Sequence, residues 1–387
     1  MTDVSKLYEQ RVKRMETTIR GGQADKVPVL SIIDNWAIYY SGYTLKDVFQ
    51  DDEKHFKAFE KIVKNFKWDA IQYAATTRPM NFFNALGGGT YRVTDTLQVE
   101  TGSALCMQPE EYPQLIENPW TFLRDVIYPR KYKLLAEPYS EAKYQSYIEA
   151  VEKLFASVKL EGENKKRMKE MYGMPVVRPS GFFHPVDMLL DFLRDFKGTM
   201  MDIKRRPEEV REAAEAMLPI CIETIENFYP QHQEGSYIFN PMHTPEFLNP
   251  KDFEKVYWPS YKKIMDYLAS KGYVVMCYFE SKYEHLYDFL QELPKNQVVG
   301  LFEHDDLRKA KKVLGKNMCI AGGMPCYMLN YGKKQECIDY AKALIDDLAP
   351  GGGYIFTTDK IPHSPNDANP ENLKAVNDFV FEYGVYR

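Results

Sequence analysis

The residues best suited to chemistry stand just beyond the short apolar runs of this chain. His243 follows SYIFNPM, Cys277 and Glu280 lie in VVMCYFE, and Glu303, His304, Asp305 and Asp306 follow QVVGLF. Cys326 comes shortly after MCIAGG, and Asp359 and His363 come after GYIFTT. Imidazole, thiolate and carboxylate converging on one rim suit Zn2+, which takes nitrogen, sulfur and oxygen ligands in a tetrahedron. Each residue alone also has a plainer use. Cys277 amid VVMCYF suits a buried apolar filler. The carboxylates at 303–306 suit the start of a helix, where the dipole favours negative charge. The spacing is not the paired Cys-x-x-Cys of a structural zinc site, so residue type carries this expectation more than spacing does.

Such groups need a frame that gathers them. From residue 236 onward, strand and helix patterns alternate. SYIFNPMH (236–243), YVVMCYFE (273–280), QVVGLFEHDD (297–306), MCIAGG (318–323) and GYIFTTD (353–359) read as strands. Helical patterns at 250–272, 282–293, 307–315 and 333–350 separate them, and one at 370–384 closes the chain. Continuous apolar runs are what parallel strands show when both faces are covered, and the alternation points to βα units. Earlier, VPVLSIIDNW (27–36), WDAIQYAA (68–75) and MPVVRPSGFF (174–183) supply three more strands, with helices at 5–20 and 51–67. Eight strands without a glycine fingerprint for a dinucleotide predict a closed (β/α)8 TIM barrel rather than a doubly wound sheet. Residues 84–100 read as a hairpin with a Gly-rich turn, 109–172 as a helical excursion, and 186–229 as helix broken near Arg206-Pro207. No linker divides 1–387, so one domain with a helical and hairpin elaboration in its first half is expected. In this fold the chemistry sits on loops after the strands, where the polar residues fall.

Bulk properties narrow the function. With 50 Lys and Arg against 55 Asp and Glu, the net charge is -5, and no basic face is available to neutralise phosphates. Nucleic-acid binding is therefore not expected. The polar start has no apolar core of a signal peptide, and no run nears the ~20 apolar residues that span a bilayer. A cytoplasmic protein without membrane contact is expected. Six scattered cysteines then read as reduced thiols or metal ligands. The 28 Tyr, 22 Phe and 4 Trp suit either a large core or a pocket for a flat ligand.

RVKRMETTIRGGQADKVPVL at the front, and LFEHDDLRKAKKVLGKNMCIAGGMP and GGGYIFTTDKIPHSPNDANPENLKAV at the back, resemble the uroporphyrinogen decarboxylase superfamily over roughly 11–384. That resemblance implies a (β/α)8 barrel. True decarboxylases of the superfamily carry an arginine motif after the first strand to hold substrate carboxylates; here that place reads SIIDNWAIYY, without arginine. The branch that methylates thiols carries His-x-Cys after one strand and another Cys near the last, binding zinc. By position, Cys277 takes the His place, Phe279 displaces one Cys, and Asp359 takes the other. VVMCYFE and LQELPKNQVVGLFEHDD look most like a third branch, which demethylates methoxyl compounds and passes the methyl to a corrinoid protein. Carboxylates in place of sulfur make a harder, more Lewis-acidic site, which suits the poor leaving group of an aryl methyl ether.

The resemblance thus implies a zinc-dependent O-demethylase component, with a corrinoid partner protein and a guaiacol- or vanillate-like donor. Cys277, Glu280 and Asp359 are the preferred zinc ligands, with His243 and Cys326 competing for the remaining place; Glu280 and Asp359 are the expected catalytic carboxylates. Trp36, Phe182 and Phe183 are expected around the ring, Arg178 or His184 at a phenol or carboxylate, and Asn240 at a strand end. Two alternatives stay open: methyl transfer from a methylcorrinoid to a thiol, and a non-catalytic corrinoid- or tetrapyrrole-binding module. A homodimer is also left open.

Overall fold

A computed structural model describes residues 3–87, 91–93, 99–101 and 105–386. Eight short parallel strands form a ring. They are β1 (Leu30–Ser31), β2 (Ala70–Ile71), β3 (Ser180–Gly181), β4 (Ile238–Met242), β5 (Val275–Phe279), β6 (Val298–Phe302), β7 (Cys319–Met324) and β8 (Tyr354–Thr358). Strands β3 to β8 pair in sequence order, and β1 pairs with β2. Two parallel bridges close the circuit: Ile71 to Val176 ahead of β3, and Val29 to Phe356 on β8. The fold is the expected (β/α)8 barrel.

The first three strands are far shorter than their apolar runs. VPVLSIIDNW keeps only Leu30–Ser31 in the ladder, because the chain turns at Asp34-Asn35 into a short helix from Trp36 to Tyr40. The later strands match their apolar runs closely, and all five residues of β5, β6 and β8 are buried. The hairpin pairs Tyr91 with Thr101 and Val93 with Val99. Its two strands are therefore Tyr91–Val93 and Val99–Thr101, not arms flanking the glycines, and residues 94–98 between them lie outside the described residues.

Side chains alternate between two environments along each strand. Tyr237, Phe239, Val274, Met276, Tyr278, Leu301, Ala321 and Ile355 fill the barrel lumen. Ile238, Met242, Val275, Cys277, Phe279, Phe302 and Phe356 instead pack on the surrounding helices. This parity decides which residues beyond each strand can reach the mouth. At the end of β4 it selects Pro241 and His243, past β5 Glu280, and past β6 Glu303, all of which border one cleft.

Two further elements depart from the simple strand–helix alternation. The helix Glu141–Tyr172 is capped by Ser140, which accepts from Lys143 N, and stops at Gly173, where φ is 53°. It buries only Ala150, Asn164 and Met168, and is tied to the barrel by ion pairs such as Arg167–Glu53 and by hydrogen bonds from Arg11 to the carbonyls of Tyr172 and Gly173. The segment Leu189–Arg194 is wound as a π-helix. A π-turn inserts one extra residue and re-aims side chains, and such turns recur at functional sites. Here Asp191 and Phe192 border the cleft.

Candidate active site

At the C-terminal ends of the strands lies an open cleft of about 800 Å³. Phe182, Phe183, Phe192, Phe239 and Tyr278 give it flat apolar walls, and His243, Glu280, Asp191, Arg178, Arg78 and Lys360 give it charge. Phe183 stands edge-on to Phe192, with ring centres 5.1 Å apart, and edge-on to His243 at 5.8 Å.

His243 is the most constrained polar group of the cleft. Its Nδ1 donates to Asp191 Oδ2 at 2.6 Å and its Nε2 to Glu280 Oε1 at 3.1 Å. Each ring nitrogen faces a carboxylate, so each carries a proton and the ring is a cation. Burial opposes that charge, but the bonds from Asp191 and Glu280 outweigh it and hold the imidazole up to about 11. Behind it, the fully buried Asp187 accepts from Thr244 N at 2.8 Å and from Tyr257 Oη at 2.8 Å, fixing the backbone after His243. Beside it, Glu303 accepts from Ser281 N at 3.2 Å, and Tyr278 Oη points at the same carboxylate. Across the cleft, the buried Asp34 accepts from Thr77 Oγ1 at 3.1 Å and faces His363 at 3.4 Å and Arg78 at 3.8 Å. Burial raises its pKa, but His363 and Arg78 pull it below the ordinary value.

Of the residues expected from sequence, Arg178, Phe182, Phe183, His243, Glu280, Glu303 and His363 border this cleft. Cys277, Asn240, Asp359, Cys326, His184 and Trp36 do not, and each has a physical reason. Cys277 has the wrong parity to stand beside Glu280: it is fully buried against the helix layer, 3.1 Å from Tyr261 Oη, and burial pushes its thiol up to about 12. Asn240 faces the same way, donating to Phe182 O and accepting from Tyr261 Oη. Asp359 turns to Cys326 N at 3.0 Å, where it caps the short helix Cys326–Tyr331, and Cys326 Sγ lies 3.6 Å from Lys360 O. His184 is buried against Ser260 Oγ at 2.9 Å and caps the helix that starts at Pro185. Trp36 is core: its Nε1 donates to Ala368 O at 3.0 Å and its ring stacks on Tyr40 at 4.9 Å.

The five expected zinc ligands therefore fall into three places: His243 with Glu280, Asp359 with Cys326, and Cys277 behind its strand. They do not fit one tetrahedral centre. Among the described residues, no group of three or more His, Cys, Asp and Glu side chains is arranged to hold a metal ion. What the cleft does assemble is a fixed cation flanked by two carboxylates on an aromatic wall. Sequence reading missed Asp191, whose one signal is a lone carboxylate in the apolar run MLLDFL.

A closed barrel with an aromatic, charge-lined cleft at its strand ends defines an α/β-barrel architecture of enzyme type. Residues 185–383, just over half of the chain, match the uroporphyrinogen decarboxylase (URO-D) family, and the protein belongs to it. A methyltransferase from Methanosarcina mazei shares the fold, with a TM-score of 0.66 at 14% identity over 96% of this chain and 98% of that one. No curated protein matches the chain. No helix of the described residues is long and apolar enough to cross a membrane.

Proposed function

We propose that this protein moves a methyl group from a methoxylated aromatic compound to the reduced corrinoid of a partner protein. The observation that carries this reading is the clamped His243 on the aromatic wall of the cleft. Its family, and its likeness in fold to a protein named as a methyltransferase, support group transfer at this rim.

The corrinoid supplies the nucleophile that takes the methyl. This chain's residues must bind the ring and manage the charge left on oxygen. The donor's ring lies against Phe182, Phe183 and Phe192, which offer faces and edges to a flat ligand. Its ether oxygen accepts a hydrogen bond from His243 Nε2 in place of Glu280, whose side chain is about a third exposed and can turn aside. As the C–O bond breaks, charge grows on that oxygen, and the Nε2 proton passes to it. With Glu280 turned aside, His243 loses one of the two carboxylates that raise it, so its proton passes readily to a phenolate, whose conjugate acid has a pKa of about 10. Asp191 keeps Nδ1 protonated and the ring in place throughout. The cleft is open at its mouth, which suits a reaction whose acceptor arrives on another protein.

The test is to mix the protein with a reduced corrinoid protein and a panel of methoxyarenes. One equivalent of phenol should appear as the reduced corrinoid's absorbance is lost. His243→Phe should slow this by about 100-fold or more, the usual contribution of a positioned acid. Absence of phenol from every donor overturns the reading. Formation of a methyl thioether from methylcorrinoid and a thiol would favour the thiol-methylating alternative instead.

A further inference from the structure

We infer that the methyl donor carries a carboxylate, and that Arg178 selects it. The inference rests on the reading of the cleft as the methoxyarene site, and it narrows that reading to anionic donors.

Arg178 lies between the bridge at Val176 and strand β3, on the inner wall of the cleft. Its guanidinium is 5.2 Å from the ring of Tyr73 and 5.1 Å from the ring of Phe239. Its Nε is buried without a hydrogen-bond partner, and among the described residues no carboxylate pairs with it. The other charges on the wall are engaged. Arg78 faces Asp34, Lys360 faces Asp367 at 3.8 Å, and His243 holds both its carboxylates. Lys131, which pairs with no carboxylate among the described residues, donates to Phe192 O at 3.2 Å and lies over that residue's ring.

A second unpaired donor belongs to Gln72, the residue before Tyr73. Gln72 is fully buried; its Oε1 accepts from Tyr237 Oη at 2.7 Å, but its Nε2 meets no acceptor. Tyr73 and Tyr237, its neighbours, both feel the charge of Arg178. Gly181 keeps the region clear: a methyl there would stand 3.1 Å from an Arg178 Nη and 2.8 Å from Phe239 O.

A guanidinium on the cleft wall with a buried, unpartnered Nε has an unused donor facing the aromatic lining, so the complementary ligand brings an acceptor of opposite charge. A guanidinium fork suits a planar carboxylate, and the flanking rings suit the arene that bears it. A phenol, with a pKa of about 10, is neutral at pH 7, whereas a benzoate is ionised. The carboxylate would sit inward at Arg178 and the methoxyl outward at His243.

The test is equilibrium binding to the protein alone, by calorimetry, of 4-hydroxy-3-methoxybenzoate, its neutral amide and 2-methoxyphenol. The benzoate should bind roughly 10- to 100-fold more tightly than either neutral compound, the range of a charge-assisted hydrogen bond. Arg178→Met should erase that preference, bringing the benzoate down to the affinity of its neutral amide, while an unchanged urea midpoint reports that the variant is folded. Arg178→Lys should retain part of it. Equal affinities in the unaltered protein, or equal weakening of all three ligands by Arg178→Met, overturns the inference. If the preference is present but no phenol ever forms, the anion site stands and the methyl-transfer reading falls. If 2-methoxyphenol is bound and demethylated as well as the benzoate, the reverse holds.

Discussion

At the scale of single residues, chemistry depends on which side chains share a space. His243 works only because Asp191 and Glu280 hold both of its ring nitrogens. Asp191→Asn keeps the shape but removes the charge that fixes the ring, so kcat should fall on the order of 10-fold or more while KM for the donor changes little. Steady-state kinetics separate the two constants, and an unchanged kcat would remove Asp191 from the site. Cys277→Ala makes the opposite prediction. The thiol is buried in the helix layer, so turnover should stay within about twofold while unfolding in urea shows a loss on the order of 1 kcal/mol. A collapse of turnover in a folded Cys277→Ala protein would return that thiol to the site. Cys277, Trp36 and His184 also stand in or beside apolar runs, but their side chains turn into the core or the helix layer, which residue type and place in the chain do not reveal. Phe183, His243 and Glu280 were legible because suitable chemistry at a strand end coincides there with a side chain that faces the cleft.

At the scale of elements, the period of two along a strand is the rule that sorts these residues. Cys277 and Glu280 are three apart, so one faces the helices when the other faces the lumen. That parity was already present in the sequence. Its sense, which face is the lumen, became fixed only with the register of β4 on β5, where Asn240 aligns with Cys277. Asp191 was illegible for another reason: it comes from a π-wound segment, whose offset the regular 3.6-residue period does not describe. Elements also carry a pH dependence away from the cleft. Glu16, near the end of the first helix (Asp3–Ile19), accepts from Arg20 and from Gly235 N just ahead of β4, and faces His232. Burial alone would raise its pKa, but these partners outweigh it and hold it at about 2. A carboxyl with a folded pKa below its unfolded value of about 4.3 stabilises above that unfolded value and loses the stabilisation as pH falls through the folded one. Between about pH 4.5 and pH 2 the protein should therefore lose on the order of 1–3 kcal/mol from this group. Urea unfolding across that range should show a flatter decline for Glu16→Gln; parallel curves for the two proteins would refute the assignment.

Across the whole molecule, the barrel separates holding together from reacting. The cleft occupies the C-terminal ends of the strands, while the opposite end is tied by Asp69, just before β2. Its fully buried carboxylate accepts from Arg14 at 2.6 Å on the first helix, faces Lys26 at 3.3 Å, and accepts from Val29 N at 2.9 Å beside β1. One carboxylate thus joins the first helix to the first two strands, the pair whose ladders are shortest and whose ring closure rests on single bridges. Removing one member of a buried ion pair leaves its partners uncompensated and typically costs about 3–5 kcal/mol. Asp69→Asn should therefore lower the urea midpoint strongly. Arg14 also pairs with Asp25 at 2.5 Å, but Asp25 is largely exposed, and an exposed pair is worth about 1 kcal/mol or less. Asp25→Asn should shift the midpoint little, although it removes the same number of charges. Neither change touches the cleft, so folded protein of both variants should keep its affinity for aromatic ligands. Equal destabilisation by the two substitutions would show that Asp69 is not what ties the first helix to the closing strands.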